Sequence, residues 1–220
     1  SSNRKGGCAG EIAVSLHSCA ASGIIRNVTR MKECMLGKLF IVLTLAGTVD
    51  AQSGKIAPGP ATKIEATVEK TGLLSGKKHT LVWERFSGQF TPKSVTLEVE
   101  ASSVKVLDDW IGDGKKEDVR KETIGKDVLH AYKFPRIQFT STAVTGNIEG
   151  TFEIAGTLTV RGITKPVTLS ARKLSNGSYD AETTFPMSSF GIKPPKAALG
   201  AIGTKDAMTL KVQVAPTSAQ

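Results

Sequence analysis

The side chains that could carry out chemistry are few and widely separated in this sequence. Cys8, Cys19 and Cys34 all lie early in the chain, and the histidines beyond them are His79 and His130. Nucleophilic catalysis needs a base close to the nucleophile, and a zinc site needs ligands at short, recurring spacings. Neither histidine lies in a His-x-x-His or His-Glu-x-x-His pattern. The sequence therefore predicts no catalytic residue, no metal site and a protein that is not an enzyme.

Two short motifs match ligand-binding sequences only in part. Asp108, Asp109 and Asp113 have the residue type of a calcium loop, but the rest of an EF-hand is missing, and we interpret them as a polar, helix-capping loop. The stretch GLLSGKK at 72–78 has a glycine and lysine content typical of a phosphate loop. Its glycines are four apart and neither Ser nor Thr follows Lys77, so we interpret it as a flexible loop.

The charge distribution argues against nucleic acid as a partner. The formal net charge is +9, but the basic residues are spread along the chain in short pairs such as Lys77-Lys78. Binding of single-stranded nucleic acid uses aromatic side chains among the basic ones, and Trp83 and Trp110 do not fall in these pairs. We expect mainly a solvated surface, with contact to an anionic head group or membrane surface as the alternative.

The N-terminal part of the chain predicts export. Residues 35–51 combine an early lysine, an apolar run from Leu39 to Ala46 and a small residue at Ala51, which is typical of a signal peptide cut before Gln52. The apolar run is shorter than the roughly 20 residues that span a bilayer, so a membrane anchor is the weaker interpretation. We predict a periplasmic or secreted protein, with residues 1–34 as an upstream or disordered segment.

Alternating apolar and polar residues predict an all-β domain over residues 62–215, preceded by a flexible lead-in at 52–61. The alternation is seen at 64–68, 95–101, 137–139, 152–154, 158–160, 167–171 and 208–214. One segment, 108–131, has helical spacing instead. Many short antiparallel strands with a single helical insertion are typical of a barrel or sandwich. The inward positions of such a barrel either fill a core or enclose a small ligand, and alternation does not separate the two.

Three stretches resemble the YceI-like family of lipocalin-like, polyisoprenoid-binding, exported bacterial proteins. They are KDVLHAYKFPRIQFTST at 126–142, GTLTVRGITKPVTL at 156–169 and FGI at 190–192, and the resemblance extends from about Ile64 to Val214. It implies a single antiparallel lipocalin-like β-barrel of about eight strands with a short helical insertion near 108–131. The hairpin TLTVRGITKPVTL, with a turn containing Gly162 and Pro166, then identifies the barrel and carries out no chemistry.

The same resemblance implies an exported protein that sequesters or transports a polyisoprenoid or similar long-chain amphiphile in a hydrophobic tunnel. It predicts no cofactor, although a bound isoprenoid or quinone-like lipid is compatible with it. The implied ligand-binding residues are Trp83, Phe90, Leu97, Val99, Trp110, Ile111, Phe139, Phe152, Ile154, Leu158, Val160, Val167, Leu169, Phe190, Ile192, Met208 and Leu210. Trp110-Ile111 and Phe190–Ile192 are the candidates for the tunnel mouth. The basic side chains that could face a head group are Lys115, Lys116, Arg120 and Lys121.

Two departures and two alternatives accompany this interpretation. Many relatives have more than one histidine where this chain has only His79, and a charged residue where it has Ser188-Ser189. The first alternative is a stress-related barrel with a filled core that acts through its surface. The second is an enzyme or redox partner that uses His79 and His130 as acid and base on a quinone-like ligand. The partner is predicted to be a hydrophobic small molecule, without nucleic acid or membrane integration, and the oligomeric state, including a dimer, stays open.

Overall fold

A computed structural model describes residues 53–215, so the predicted segments 1–34 and 35–51 lie outside the described residues. The described part contains eleven strands and one α-helix, with short 3-10 turns at 101–103, 187–190 and 198–200. The strands are β1 (Gly54–Ile56), β2 (Lys63–Gly72), β3 (Lys78–Trp83), β4 (Phe86–Thr91), β5 (Ser94–Glu100), β6 (Val104–Val106), β7 (Arg136–Gly146), β8 (Thr151–Val160), β9 (Ile163–Lys173), β10 (Tyr179–Pro186) and β11 (Ile202–Val214). The helix is α1 (Asp113–Ile124).

All eleven strands belong to one antiparallel sheet in the order β1-β4-β5-β7-β8-β9-β10-β11-β2-β3-β6. Inward side chains from strands as distant in this order as β1, β3 and β8 line the same interior space, which shows that the sheet is curled. The predicted antiparallel barrel class is thus confirmed. The strand number is higher than the expected eight or so, because three-residue strands such as β1 and β6 are too short to show alternation.

The hairpin of β8 and β9 turns more tightly than its sequence suggested. Only Arg161 and Gly162 separate the strands, and Pro166 lies inside β9 opposite Thr157. On its other edge β9 pairs with β10, but only through residues 170–173. Pro166 therefore has no neighbouring strand on that edge to which a backbone N–H would have to donate. Gly162 has a φ of +75°, and a Cβ at this position would lie 2.9 Å from Phe134 Cε1. Both features require glycine.

The helix lies within the predicted insertion and begins without a side-chain cap. Its N-cap residue is Gly112, whereas Asp108 lies on a short connection after β6 and is buried at 3% exposure. The predicted capping role of Asp108 is therefore wrong. Its carboxylate instead accepts hydrogen bonds from the Thr80 N–H, at 2.8 Å, and from His79. Asp108 thereby ties β3 to the connection that leads to the helix.

One end of the interior is filled by side chains from the connections between strands. Val128, Leu129, Met187, Phe190 and Ile192 are all buried, and they lie on the segment after α1 and on the connection after β10, both of which are hydrogen-bonded to Arg161 in the β8–β9 turn. We call this region the filled end. Phe190 is 1% exposed and packs edge-on against Phe185, with ring centroids 5.2 Å apart.

The turn residue Arg161 fastens these connections to the sheet. Its guanidinium donates to the carbonyl of Gly191 at 2.9 Å and to those of Asp127 and Lys126 at 3.1 Å. One side chain thus joins the β8–β9 turn to the segment after α1 and to the 3-10 turn after β10. This is the structural role of the basic turn in TLTVRGITKPVTL.

Candidate ligand cavity

The other part of the interior encloses a cavity of about 120 Å³. Its wall comes from β1–β5 and β7–β11, and only four of the lining residues, Trp83, Thr91, Tyr179 and Thr183, carry a polar side-chain atom. No charged side chain lines it within residues 53–215. Such a space favours apolar atoms over water, because a buried water needs two to four polar partners.

A continuous row of paired residues forms much of this wall. Each member lies opposite the next across six neighbouring strands, from β8 to β3. Side chains alternate between the two faces along a strand, and residues directly opposite each other on neighbouring strands point to the same face. The whole row therefore lies on the inner face. Two members are alanines, which leave room that larger side chains would occupy. The row is Phe152, Ala171, Ala181, Val212, Ile64 and Trp83.

Aromatic rings meet at one end of the cavity, beside the turns that join β4 to β5 and β7 to β8. The Tyr179 ring lies edge-on to Phe90 and Phe152, at centroid distances of 5.6 and 6.0 Å. We call Phe90, Phe152 and Tyr179 the aromatic end. The Lys173 ammonium lies 5.7 Å from the Tyr179 ring and donates to Glu149 at 2.6 Å. This hydrogen bond to Glu149 is the main reason that the pKa of Lys173 is raised, so a positive charge is fixed near the aromatic end.

The two tryptophans differ in what their indole N–H groups contact. Trp110 donates to the Lys78 carbonyl at 2.8 Å. Trp83 lines the cavity, is 7% exposed, and its buried Nε1 has no hydrogen-bond partner among residues 53–215. Buried polar groups without a partner are rare and cost about 1–3 kcal/mol each, so this N–H is an unusual feature of an otherwise apolar wall.

The structure brings together eleven of the seventeen residues that the sequence predicted for ligand contact. Those that line the cavity are Trp83, Phe90, Leu97, Val99, Phe139, Phe152, Ile154, Leu158, Val167, Leu169 and Leu210. Their contact with a ligand stays a prediction. Alternation, which reports the inward face of each strand, located most of them, whereas Trp83 and Phe90 lie outside the alternating segments and were implied by the family resemblance.

The other six residues lie elsewhere. Val160, Phe190 and Ile192 are buried at the filled end, and Met208 packs beside that core. Trp110 stacks on His79 with a centroid distance of 5.4 Å, and Ile111 follows it in the chain. Contrary to prediction, Trp110-Ile111 and Phe190–Ile192 do not line the rim of this cavity, because local sequence gives no information on which end of a barrel a connection covers.

Several lining residues escaped sequence analysis. Ile64 and Val212 lie in segments whose alternation was recognised, but they were not assigned to the cavity. Ala181, Thr183 and Tyr179 lie on β10, whose inward positions are too small or too polar to show apolar alternation. Ile56 lies on a three-residue strand. Knowledge of the pairing partner was needed to recognise these positions.

The basic side chains predicted to face a head group are largely engaged within α1. Lys115 contacts Asp118 at 3.2 Å, Lys116 contacts Asp113 at 3.1 Å, and Arg120 contacts Glu117 at 2.7 Å. The helix packs against β6, and none of the cavity-lining residues belongs to it. The predicted use of these residues as a head-group site at the cavity is therefore not supported by their positions.

A cluster of interacting side chains, which we call the His79 cluster, consists of His79, Asp108, Trp110 and Lys77. His79 and Asp108 share a hydrogen bond, and the imidazole stacks on Trp110 with the Lys77 ammonium 5.9 Å from the indole ring. Within residues 53–215 no group of three or more His, Cys, Asp or Glu side chains could hold a metal ion. The same residues include no helix long and apolar enough to cross a membrane.

Comparison with known proteins decides the family. The sequence model of the YceI-like domain matches residues 38–215. This chain belongs to the YceI-like family. A UPF0312 protein of Pseudomonas putida (strain GB-1) is 29% identical over 184 residues, which covers 74% of this chain and 91% of that protein. A UPF0312 protein of Shewanella oneidensis is 31% identical over 122 residues, covering 49% of this chain and 61% of that protein.

A solved structure supports the fold of this YceI-like chain. The crystal structure of Burkholderia cenocepacia BcnA superimposes with a TM-score of 0.52 at 16% sequence identity, covering 69% of this chain and 94% of BcnA. At that identity the similarity concerns the barrel alone. The family resemblance of the three sequence stretches is thus confirmed.

Proposed function

We propose that this YceI-like chain is a lipid-binding protein that holds the apolar part of a polyisoprenoid or similar long-chain amphiphile in its cavity. The observation that carries the proposal is the wall of the cavity, which is apolar except for four residues and contains no charged side chain within residues 53–215. Each methylene buried in such a space contributes about 0.8 kcal/mol. A long chain therefore needs few directional contacts, and none of the groups required for catalysis.

The size of the cavity limits how a long chain can be held. A volume of about 120 Å³ is comparable to the engineered cavity of about 150 Å³ that holds one benzene molecule. A chain of several isoprene units is larger than this. We therefore expect bound ligand to widen the space by rotamer changes at the aromatic end, where Phe90, Phe152 and Tyr179 are half-buried.

The direct experiment is native mass spectrometry of protein isolated from the compartment where it accumulates, followed by organic extraction of the same sample. We expect a stoichiometric adduct that is released as a long-chain lipid. A bare protein mass, together with no uptake of a fluorescent apolar probe, would contradict the proposal and favour the alternative of a surface-acting barrel.

A cavity-filling variant tests whether the cavity is the binding site. Ala181 lines the cavity, so Ala181→Phe places a ring in it, whereas Ala143→Phe adds the same ring at an exposed position on β7. We expect Ala181→Phe to lose uptake of an apolar probe while Ala143→Phe keeps it. Circular dichroism and the melting temperature check that both variants fold. Equal uptake by both would place binding elsewhere.

Export and contact with a membrane surface are further parts of this proposal. The best-suited surface is formed by two adjacent turns, because the Leu73 N–H donates to the Ala201 carbonyl at 3.1 Å. Leu73 is 79% exposed and Leu199 is fully exposed, with a φ of +54° that glycine would adopt more easily. Exposed lysines that lie within six residues of these leucines in the sequence include Lys77, Lys193 and Lys196. Apolar tips among basic residues are suited to anionic bilayers.

Vesicle flotation tests this surface. We expect the folded chain to float with phosphatidylcholine vesicles that contain phosphatidylglycerol, and to float less well at high salt. The double variant Leu73→Ser, Leu199→Ser should bind several-fold more weakly. The matched control is Leu107→Ser, which removes an exposed leucine from a different segment. Equal flotation of the double variant and the control would exclude the two turns.

A further inference from the structure

The buried indole N–H of Trp83 is the only polar side-chain nitrogen or oxygen in the interior of the described chain that lacks a hydrogen-bond partner. Trp83 is the last residue of β3, where it lies opposite Ile64 and Val104 and lines the cavity. A hydrophobic residue such as Phe or Leu would fill this position without leaving a polar atom unpaired. The N–H is covered in the ligand-free structure, so an acceptor atom of a ligand would recover the free energy that its missing partner costs only where the ligand widens the space next to the indole.

We propose that the ligand carries a neutral oxygen acceptor that binds the Trp83 N–H. An indole nitrogen can only donate, so the matching ligand atom has to be an acceptor such as a carbonyl, ether or ester oxygen. The acceptor is neutral because the wall contains no cationic side chain within residues 53–215, and an isolated charge buried among apolar groups is strongly disfavoured. This inference rests on the proposed function and narrows its ligand class.

The location of Trp83 defines which part of the ligand carries the acceptor. Ile56, Ile64 and Val99 lie in the same wall, and the row of paired residues ends at Trp83. The acceptor is therefore surrounded by apolar groups within the barrel. It differs in this respect from a solvated head group near Lys173 and Glu149, which lie at the aromatic end. A pure hydrocarbon chain would bind without using this hydrogen bond.

A matched pair of probes isolates the hydrogen bond. The probes are a long-chain methyl ketone and the hydrocarbon in which its C=O is replaced by C=CH₂, which keeps the shape and removes the acceptor. We expect the ketone to bind about 3- to 10-fold more tightly, the range that corresponds to one net hydrogen bond. In Trp83→Phe this preference should disappear, so that the ketone and the hydrocarbon bind with equal affinity, whatever the overall affinity of the variant.

An indole NMR signal tests the same contact without any substitution. The chain has two tryptophans, so an amide correlation spectrum contains two indole cross peaks, and a Trp110→Phe variant assigns them. We expect the ketone to move the Trp83 indole proton downfield and the hydrocarbon to leave it nearly in place. Trp110, already bonded to the Lys78 carbonyl, is the internal reference.

The outcomes separate this inference from the function on which it rests. Equal affinity of the two probes, or a ketone preference that survives in Trp83→Phe, would overturn the acceptor while leaving lipid binding intact. An indole signal that responds equally to both probes would have the same meaning. If neither probe binds, the proposed function fails and the inference fails with it.

Discussion

The filled end and the cavity are built from the same strands, yet they differ in packing. At the filled end, Met187, Phe190 and Ile192 from the connection after β10 occupy the interior, and Arg161 fastens that connection to the β8–β9 turn. Around the cavity, within residues 53–215, only the turn residues Pro92 and Ile148 reach the wall from outside the strands, and small residues such as Ala171 and Ala181 lie on the inner face. One barrel thus provides both a solid core that stabilises the fold and a space that can hold a ligand.

The difference shows that apolar alternation along one strand can mark residues of a packed core as well as residues that line a cavity. Leu158 and Val160 are neighbours on the same face of β8 with similar burial, but Leu158 lines the cavity and Val160 packs in the filled end. The division is set by what reaches the interior from outside the strands. Stability and binding should consequently respond to substitutions in different parts of the barrel.

Truncation of an aromatic ring at each end should give the largest contrast in stability. Phe190→Ala removes a fully buried ring from a packed environment, so we expect a loss of about 3–5 kcal/mol in the free energy of unfolding. Phe152→Ala borders the cavity and is half-buried, so its loss should be clearly smaller. Chemical denaturation of both variants measures the difference. Similar losses at the two positions would mean that the ends do not differ in packing.

Removal of the Asp108 carboxylate should have the next largest effect. The substitution Asp108→Ala leaves the Thr80 N–H and the His79 ring without their buried partner, and we expect a loss of about 2–4 kcal/mol. The neighbouring Asp109→Ala, at an exposed position, is the matched control and should change stability by less than about 0.5 kcal/mol. Probe uptake in the cavity should be retained in both variants. A loss of uptake in Asp108→Ala at full folding would link this cluster to binding.

The Arg161 clamp should contribute a moderate amount that is confined to the filled end. Arg161→Ala removes hydrogen bonds to three carbonyls at a partly exposed position, for which we expect a loss of about 1–2 kcal/mol. Hydrogen exchange should accelerate in residues 125–131 and 187–192 and stay unchanged in β4 and β5. Lys165→Ala, in the same hairpin but exposed, is the control. Uniform acceleration through the whole sheet would argue against a local clamp.

The smallest effect concerns the exposed ion pair between Arg85 and Glu100. Both guanidinium contacts are 2.6 Å, and hydrogen bonding from Arg85, followed by that from Ser102, lowers the pKa of Glu100 to about 2. Because the folded-state pKa lies below the ordinary 4.5, the stabilisation is present above pH 4.5 and is lost as the pH falls towards 2. In Arg85→Ala we expect an NMR titration to show a Glu100 pKa close to its ordinary value. Ser102→Ala should give a smaller rise.

The sequence predicted the class of the fold because long strands such as β8 and β11 expose their alternation over many residues. It also predicted the helical insertion at 108–131 that contains α1, and most of the inner face. It missed β3 and β4, as well as β10, whose sequence YDAETTFP has too few apolar residues for a pattern, and it misplaced Pro166 in the turn. A proline inside a strand is visible only once the missing ladder partner is known.

The sequence allowed us to predict many of the residues that line the cavity, but not where along the barrel the cavity ends. Inward residues such as Phe139 and Ile154 follow from local pattern, and both line the cavity. Which end of the barrel Phe190 fills depends on where the connection between β10 and β11 packs, and the local sequence does not determine this position. The role of Asp108 depends on the backbone N–H of Thr80, which lies 28 residues earlier on β3 and donates to its carboxylate.

The cavity can form only after β11 has been synthesised, because β2 pairs with β11. Ile64 lies opposite Val212, so the second strand of the described chain has to wait for the last one. While the chain is being synthesised, β2 can pair only with β3, and the inner face stays uncovered. Contacts so distant in sequence slow folding and prolong exposure of apolar surface. Until β11 has been synthesised, the apolar inner face of β2 therefore lacks one of its two neighbouring strands.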